Sequence, residues 1–174
     1  AAAAPALVLR GRRARARLEG VTFERPAGPA VEVAGDAELT ARDLEIHEPA
    51  GDGIVIDDVA APRTRLRDVT VRDCRGPAAG VRVARSARIS ARGLDVAGCS
   101  DGALLAVDRA SAALLSSRAR GGHVGAGAFG GSVLEVEGST LAGERWSVFA
   151  ACADGSRIAK GGGNRLEGPA VTCP

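Results

Sequence analysis

The 174-residue chain carries 23 basic and 21 acidic side chains, a net charge of +2 that is too even for a nucleic-acid-binding surface. No run approaches the roughly 18 apolar residues of a membrane-spanning helix, and even the LLAV segment at Leu104–Val107 is ended by Asp108 and Arg109. With 24 Gly, three Phe, one Trp and neither Met nor Tyr, a core must be built mostly from Ala, Val and Leu, which suits many thin layers.

Residues 1–6, AAAAPA, read as a linker or as the remnant of a removed signal peptide. Residues 7–174 read as a single domain. Within it, AELTARDLEIHEP from Ala37, PRTRLRDVTVRDC from Pro62 and ARISARGLDVAGC from Ala87 align without a gap, each 25 positions after the last. ARARLEGVTFERP from Ala14 fits the same frame upstream, and the segments from Ala110 and Ser132 fit it more loosely downstream. A further apolar column precedes each copy: Val31 and Val33, Ile54 and Ile56, Val81 and Val83, Leu104, Phe129, then Val148 and Val171. Every repeat therefore offers three short strands, and a fixed period of this size is the mark of a stacked solenoid.

The inward positions follow from period-two alternation. Val21, Leu44, Val69 and Leu94 share one column, and Phe23, Ile46, Val71 and Val96 share the next. In a third region two neighbouring positions trade volume: Ala16 with Leu18, Leu39 with Ala41, Thr64 with Leu66, Ile89 with Ala91, and Ala112 with Leu114. Close-packed layers demand this, since overfilling destabilises as a cavity does.

These repeats resemble the right-handed parallel β-helix family, to which pectate lyases and alginate epimerases belong. The resemblance spans about Leu7 to Cys173 and implies an all-β solenoid of six to seven coils, each of about 21 to 27 residues with three strands. Members often stack Asn inside a turn, whereas this chain has only Asn164, so its corners require other support. Neither leucine-rich nor hexapeptide repeats fit, and a β-sandwich does not explain copies that align position by position.

Cys74 and Cys99 occupy the same repeat position one coil apart, and Cys152 and Cys173 lie 21 residues apart on neighbouring coils, so both pairs are placed to form disulfides. Metal ligation and free buried thiols are the alternatives; there is no CxxC motif and there are only two His. If the bridges form, the protein matures in an oxidising setting: secreted, periplasmic or at the cell surface.

Arg42, Arg67 and Arg92 form one column, with Arg63 and Arg88 in another and Arg65 nearby. Guanidinium groups pair bidentately with carboxylates, so this face is the candidate site for an acidic polysaccharide. The competing expectation is that Asp43, Glu45, Asp68 and Asp95 neutralise it.

A lyase-like centre would need clustered carboxylates to bind Ca²⁺, and Asp36, Asp57 and Asp58, with Arg82 or Arg85 opposite, are the nearest candidates. The Asp57–Asp58 pair reads better as loop-solvating turn residues. Trp146 and the three Phe read as lying mainly at or near inward columns, His47 and His123 lie far apart, and the Gly-rich stretch Gly121–Ser132 reads as a flexible corner without a phosphate-binding motif. No catalytic residue, metal or cofactor is expected. The sequence thus points to an exported surface, scaffold or adhesion element that associates with copies of itself through an uncapped first coil, or else to a small protein that binds or cleaves acidic glycans.

Overall fold

The computed structural model describes residues 4–59 and 64–173; Arg63 and the insertion at 60–63 lie outside them. The chain winds as a parallel β-solenoid of about seven coils. One sheet, sheet I, stacks the strands Leu7–Arg10, Val31–Ala34, Ile54–Asp57, Ala79–Ala84, Gly102–Ala106, Val124–Ala128, Trp146–Ala150 and Ala170–Val171 in chain order. The other two strand columns belong to a single sheet, sheet II.

In the second and third coils those columns fuse. Glu38–His47 and Thr64–Arg72 each run unbroken through the corner, so these coils have two strands rather than the three expected. The corner survives because Asp43 and Asp68 take left-handed backbone conformations (φ 49° and 52°). Aspartate tolerates that region better than most residues, which is what an in-strand bend requires. Gly20, Gly93, Ser116, Gly138 and Gly163 supply the same bend in other coils.

The register confirms the inward columns of sheet II, whereas in sheet I Val171 pairs with the outward Phe149 and not with Val148. Ala16 stacks on Leu39, Leu39 on Thr64 and Thr64 on Ile89, while Leu18 stacks on Ala41, Ala41 on Leu66 and Leu66 on Ala91. Large therefore sits over small along the axis as well as beside it within a coil. From the second coil onward most of these side chains are sealed, as Leu39, Ala41, Leu44 and Ile46 illustrate. In the first coil, Leu7, Ala16, Leu18, Val21 and Phe23 remain half-buried, with no further coil among the described residues stacked on them.

Two further expectations need correction. Gly121–Ser132 is no flexible corner: it contains the strand Val124–Ala128, paired on both sides in sheet I. Gly127 is needed there because a Cβ would lie 2.6 Å from the Phe129 ring. Phe129 and Trp146 do not line the main core. With Phe149 they cover Leu105 and Val124 in a separate cluster on the outside of sheet I, the Phe129 and Trp146 rings lying 5.7 and 5.6 Å from that of Phe149.

With a single Asn, the corners draw on other support, as expected. Asn164 does work as an internal ladder residue, continued downward by serines. The Ser139 N–H donates to Asn164 Oδ1 (3.0 Å), the Ser117 N–H to Ser139 Oγ (3.1 Å), and the Leu94 N–H to Ser117 Oγ (3.1 Å). A second ladder runs from the Ala110 N–H to Ser132 Oγ and from the Ser132 N–H to Ser156 Oγ. Each satisfies a corner amide that strand pairing leaves over.

Both expected disulfides are present, Cys74–Cys99 with Cα atoms 4.6 Å apart and Cys152–Cys173 at 5.5 Å. The second pins a C-terminal tail that crosses the end of the last coil. There the Ile158 N–H donates to the Thr172 carbonyl (3.0 Å) and Cys173 packs against the core. Among the described residues no helix is long and apolar enough to cross a membrane.

Candidate functional site

The outward positions of the first column of sheet II alternate with the buried Leu39, Ala41 and Leu66, so their side chains project to solvent by strand geometry alone. Two parallel outer ladders result. Arg42 pairs in register with Arg67 and Arg67 with Arg92; beside them run Arg17, Thr40, Arg65 and Ser90. Together these residues line a shallow cleft of about 490 Å³ floored by Ala41 and Leu66. Arg88 is also exposed, at the start of its strand, and lies outside this cleft.

Ion pairing is uneven along the solenoid, and Arg13, Arg109, Arg118, Arg120, Arg145 and Arg157 are also without an acidic partner among the described residues. In the first two coils, arginines meet acids one rung away: Arg10 with Glu32 (2.7 Å), Arg12 with Asp36 (3.3 Å), Arg15 with Glu38 (3.4 Å) and Arg25 with Glu48 (3.3 Å). On the arginine face Arg17 meets Glu19 (2.9 Å) and Arg42 meets Asp43 (3.3 Å). Arg65, Arg67, Arg88 and Arg92 have no acidic partner among the described residues.

The acids expected to neutralise them are mostly engaged elsewhere. Asp95 takes a two-pronged bond from Arg72 (3.1 and 2.7 Å), which together with nearby positive charge holds its carboxyl below the usual range. Glu45 faces His47 at 3.4 Å. Asp68 occupies the space beside the Gly93 corner of the next coil. The self-neutralised face predicted from alternating signs is therefore only partly realised.

The candidate cation ligands do not converge. Asp57 is clasped by Arg85, whose guanidinium is held more firmly protonated by that bond, and Asp36 faces Arg12. Arg82 is fixed by Asp52 (2.6 Å) and Asp101 (3.4 Å), joining three coils on the outside of sheet I, and the Asp52 bond raises its pKa. Among the described residues no three His, Cys, Asp or Glu side chains are grouped to hold a metal. His47 and His123 sit on different coils and share no hydrogen bond.

The contribution of Thr40 and Ser90 was missed in the sequence. Their signal was available, since each occupies the outward position one rung from Arg65 in the aligned repeats, but small hydroxyl residues there read as solvated filler. Comparison with family models, with curated proteins and with solved structures returned no match for this chain.

Proposed function

We propose that this chain is a non-catalytic β-solenoid module, exported to an oxidising compartment, which acts as a surface or adhesion element by holding an acidic glycan on its arginine face. The observation carrying this reading is the cluster of Arg65, Arg67 and Arg92 without acidic partners, on a molecule where many other arginines are ion-paired. The sheet fixes the spacing of the arginine stems, and the planar guanidinium fork matches a carboxylate, so less freedom is lost per hydrogen bond formed. The two disulfides support export.

Titrating uronate-containing and sulfated polysaccharides into the protein tests this. Binding should weaken steeply between low and physiological salt, and Arg67→Glu should weaken it by about tenfold or more, the value of one charge-assisted hydrogen-bond pair. Equal binding by wild type and Arg67→Glu would remove the arginine face from the reading. Formation of an unsaturated, ultraviolet-absorbing product would replace it with lyase activity.

A second reading, self-association through the first coil, is favoured by the half-buried Leu7, Leu18, Val21 and Phe23 and by Val8, which is 46% exposed. Sedimentation across a range of protein concentrations tests it, a monomer at every concentration excluding it.

A further inference from the structure

The arginine ladder is finite, and its ends are marked by a change of sign. In the column Glu19, Arg42, Arg67, Arg92, Leu115, Glu137, three consecutive rungs are basic, an acid stands before them, and a leucine followed by an acid stands after them. The neighbouring column, Arg17, Thr40, Arg65, Ser90, Ala113, Glu135, likewise passes from basic and hydroxyl-bearing to apolar to acidic. We infer that the face is a three-charge site: it takes a run of about three carboxylates from a linear acidic polymer lying along the solenoid axis, and excludes a longer run.

The direction follows from spacing. Successive rungs are about 4.8 Å apart, whereas same-face positions within one strand are about 6.6 Å apart. Along the axis a ligand meets three guanidiniums in a row, Arg42, Arg67 and Arg92. Across it, among the third coil's described residues before the Asp68 bend, it meets only Arg65 and Arg67. A polymer with one carboxylate per repeat of roughly one rung can engage all three. An extended acidic peptide presents same-face carboxylates about every 6.6 Å and falls out of step. Arg65 sits beside the middle rung, with Thr40 and Ser90 one rung to either side, which supplies a second guanidinium next to the central carboxylate and a hydroxyl donor next to each outer one. Beyond Arg92, Leu115 offers a fourth carboxylate no partner, and Glu137 repels a fifth.

The inference rests on the arginine face being an anion site, and oligo-uronates of one to six residues, titrated into the intact protein by calorimetry, separate the two. Affinity should rise steeply up to three residues and then change by less than about twofold per added residue, the remaining gain being statistical. Leu115→Arg should move that plateau to four residues; both wild type and variant are checked for folding by circular dichroism. If uronates bind but affinity keeps climbing at the same rate through six residues, the finite site is wrong and the anion face stands. If no uronate binds at any length in low salt, the underlying reading fails. Oligoglutamates binding more tightly than uronates of equal charge overturn the axial placement.

Discussion

Asp154 shows how one exposed carboxylate closes a corner. Its Oδ1 accepts from the Ser156 hydroxyl and the Ser156 N–H, and its Oδ2 from the Gly130 N–H (2.6 Å). The Ser156 hydroxyl does most to lower its pKa, from 3.8 to about 2. A carboxylate with a depressed pKa contributes stability that is complete above its ordinary value and disappears as pH falls through the folded one. The thermal midpoint of wild type should therefore exceed that of Asp154→Asn near neutrality, and the gap should close between about pH 4 and pH 2. A gap unchanged across that window would mean that Asp154 acts through shape rather than charge. At the same scale, Thr64 was legible as the small member of a volume trade, and it is fully buried, yet its hydroxyl has no hydrogen-bond partner among the described residues. Volume is written in the repeat, whereas hydrogen-bond satisfaction depends on which atoms lie across the lumen.

The serine–asparagine ladder belongs to the scale of elements, because each member serves the coil below. Ser139 Oγ accepts from the Ser117 N–H and donates to the Glu137 carbonyl (2.9 Å), while its own N–H is satisfied by Asn164. Ser139→Ala strands a buried amide and should cost about 1–3 kcal/mol, read from the urea midpoint at unchanged slope. Less than about 0.5 kcal/mol would show that the corner relaxes to find another partner. The strands themselves were readable from Val and Ile alternation, since burial on one face imposes a period of two. The fusion of columns through Asp43 and Asp68 was not, because an Asp flanked by apolar pairs reads as a break. Nor was the strand Val124–Ala128, where Gly125 and Gly127 remove the side chains that would reveal the alternation and leave room for Ser147 and Phe129.

Over the whole molecule the two ends are unequal. The last coil is crossed by its own tail and locked by Cys152–Cys173, whereas the first is held by interstrand pairing and by exposed ion pairs to the second, with Arg10, Arg12, Arg15 and Arg25 side chains at least 70% exposed. Such pairs are each worth under about 1 kcal/mol and are screened by salt. In a stack where each coil touches only its neighbours, opening begins at the weakest terminal interface. Amides of Leu7–Arg10 and Arg15–Glu19 should thus exchange fastest among the strands, and faster still in about 1 M salt. Reduction of the disulfides should bring Arg157–Lys160 towards the same rate. Uniform exchange along the axis would contradict this polarity. The 25-residue spacing of the Ala37, Pro62 and Ala87 copies made the solenoid legible and placed Cys74 beside Cys99, while the 21-residue separation of Cys152 and Cys173 put them on neighbouring coils. The crossing of the tail was not legible, because the residues after Val171 follow no repeat and their place is set by what the last coil leaves uncovered. The outer aromatic cluster escaped for the opposite reason, since aromatic residues beside inward columns read as core.

The left-handed corner residues also decide where the chain can change length. Val31 to Ile54 is one coil of 23 residues, Ile54 to Val81 one of 27, and Leu104 to Ala126 one of 22, yet the strands stay in register throughout. The last coil makes the point within a single bend: Val136 to Thr140 takes four steps, while their partners Lys160 to Arg165 take five, and Gly163 turns the extra residue outward. Among the described residues, each difference is absorbed at a corner and none in a rung. Each corner is therefore a splice point, at which this scaffold can gain or lose a loop while the arginine face keeps its spacing.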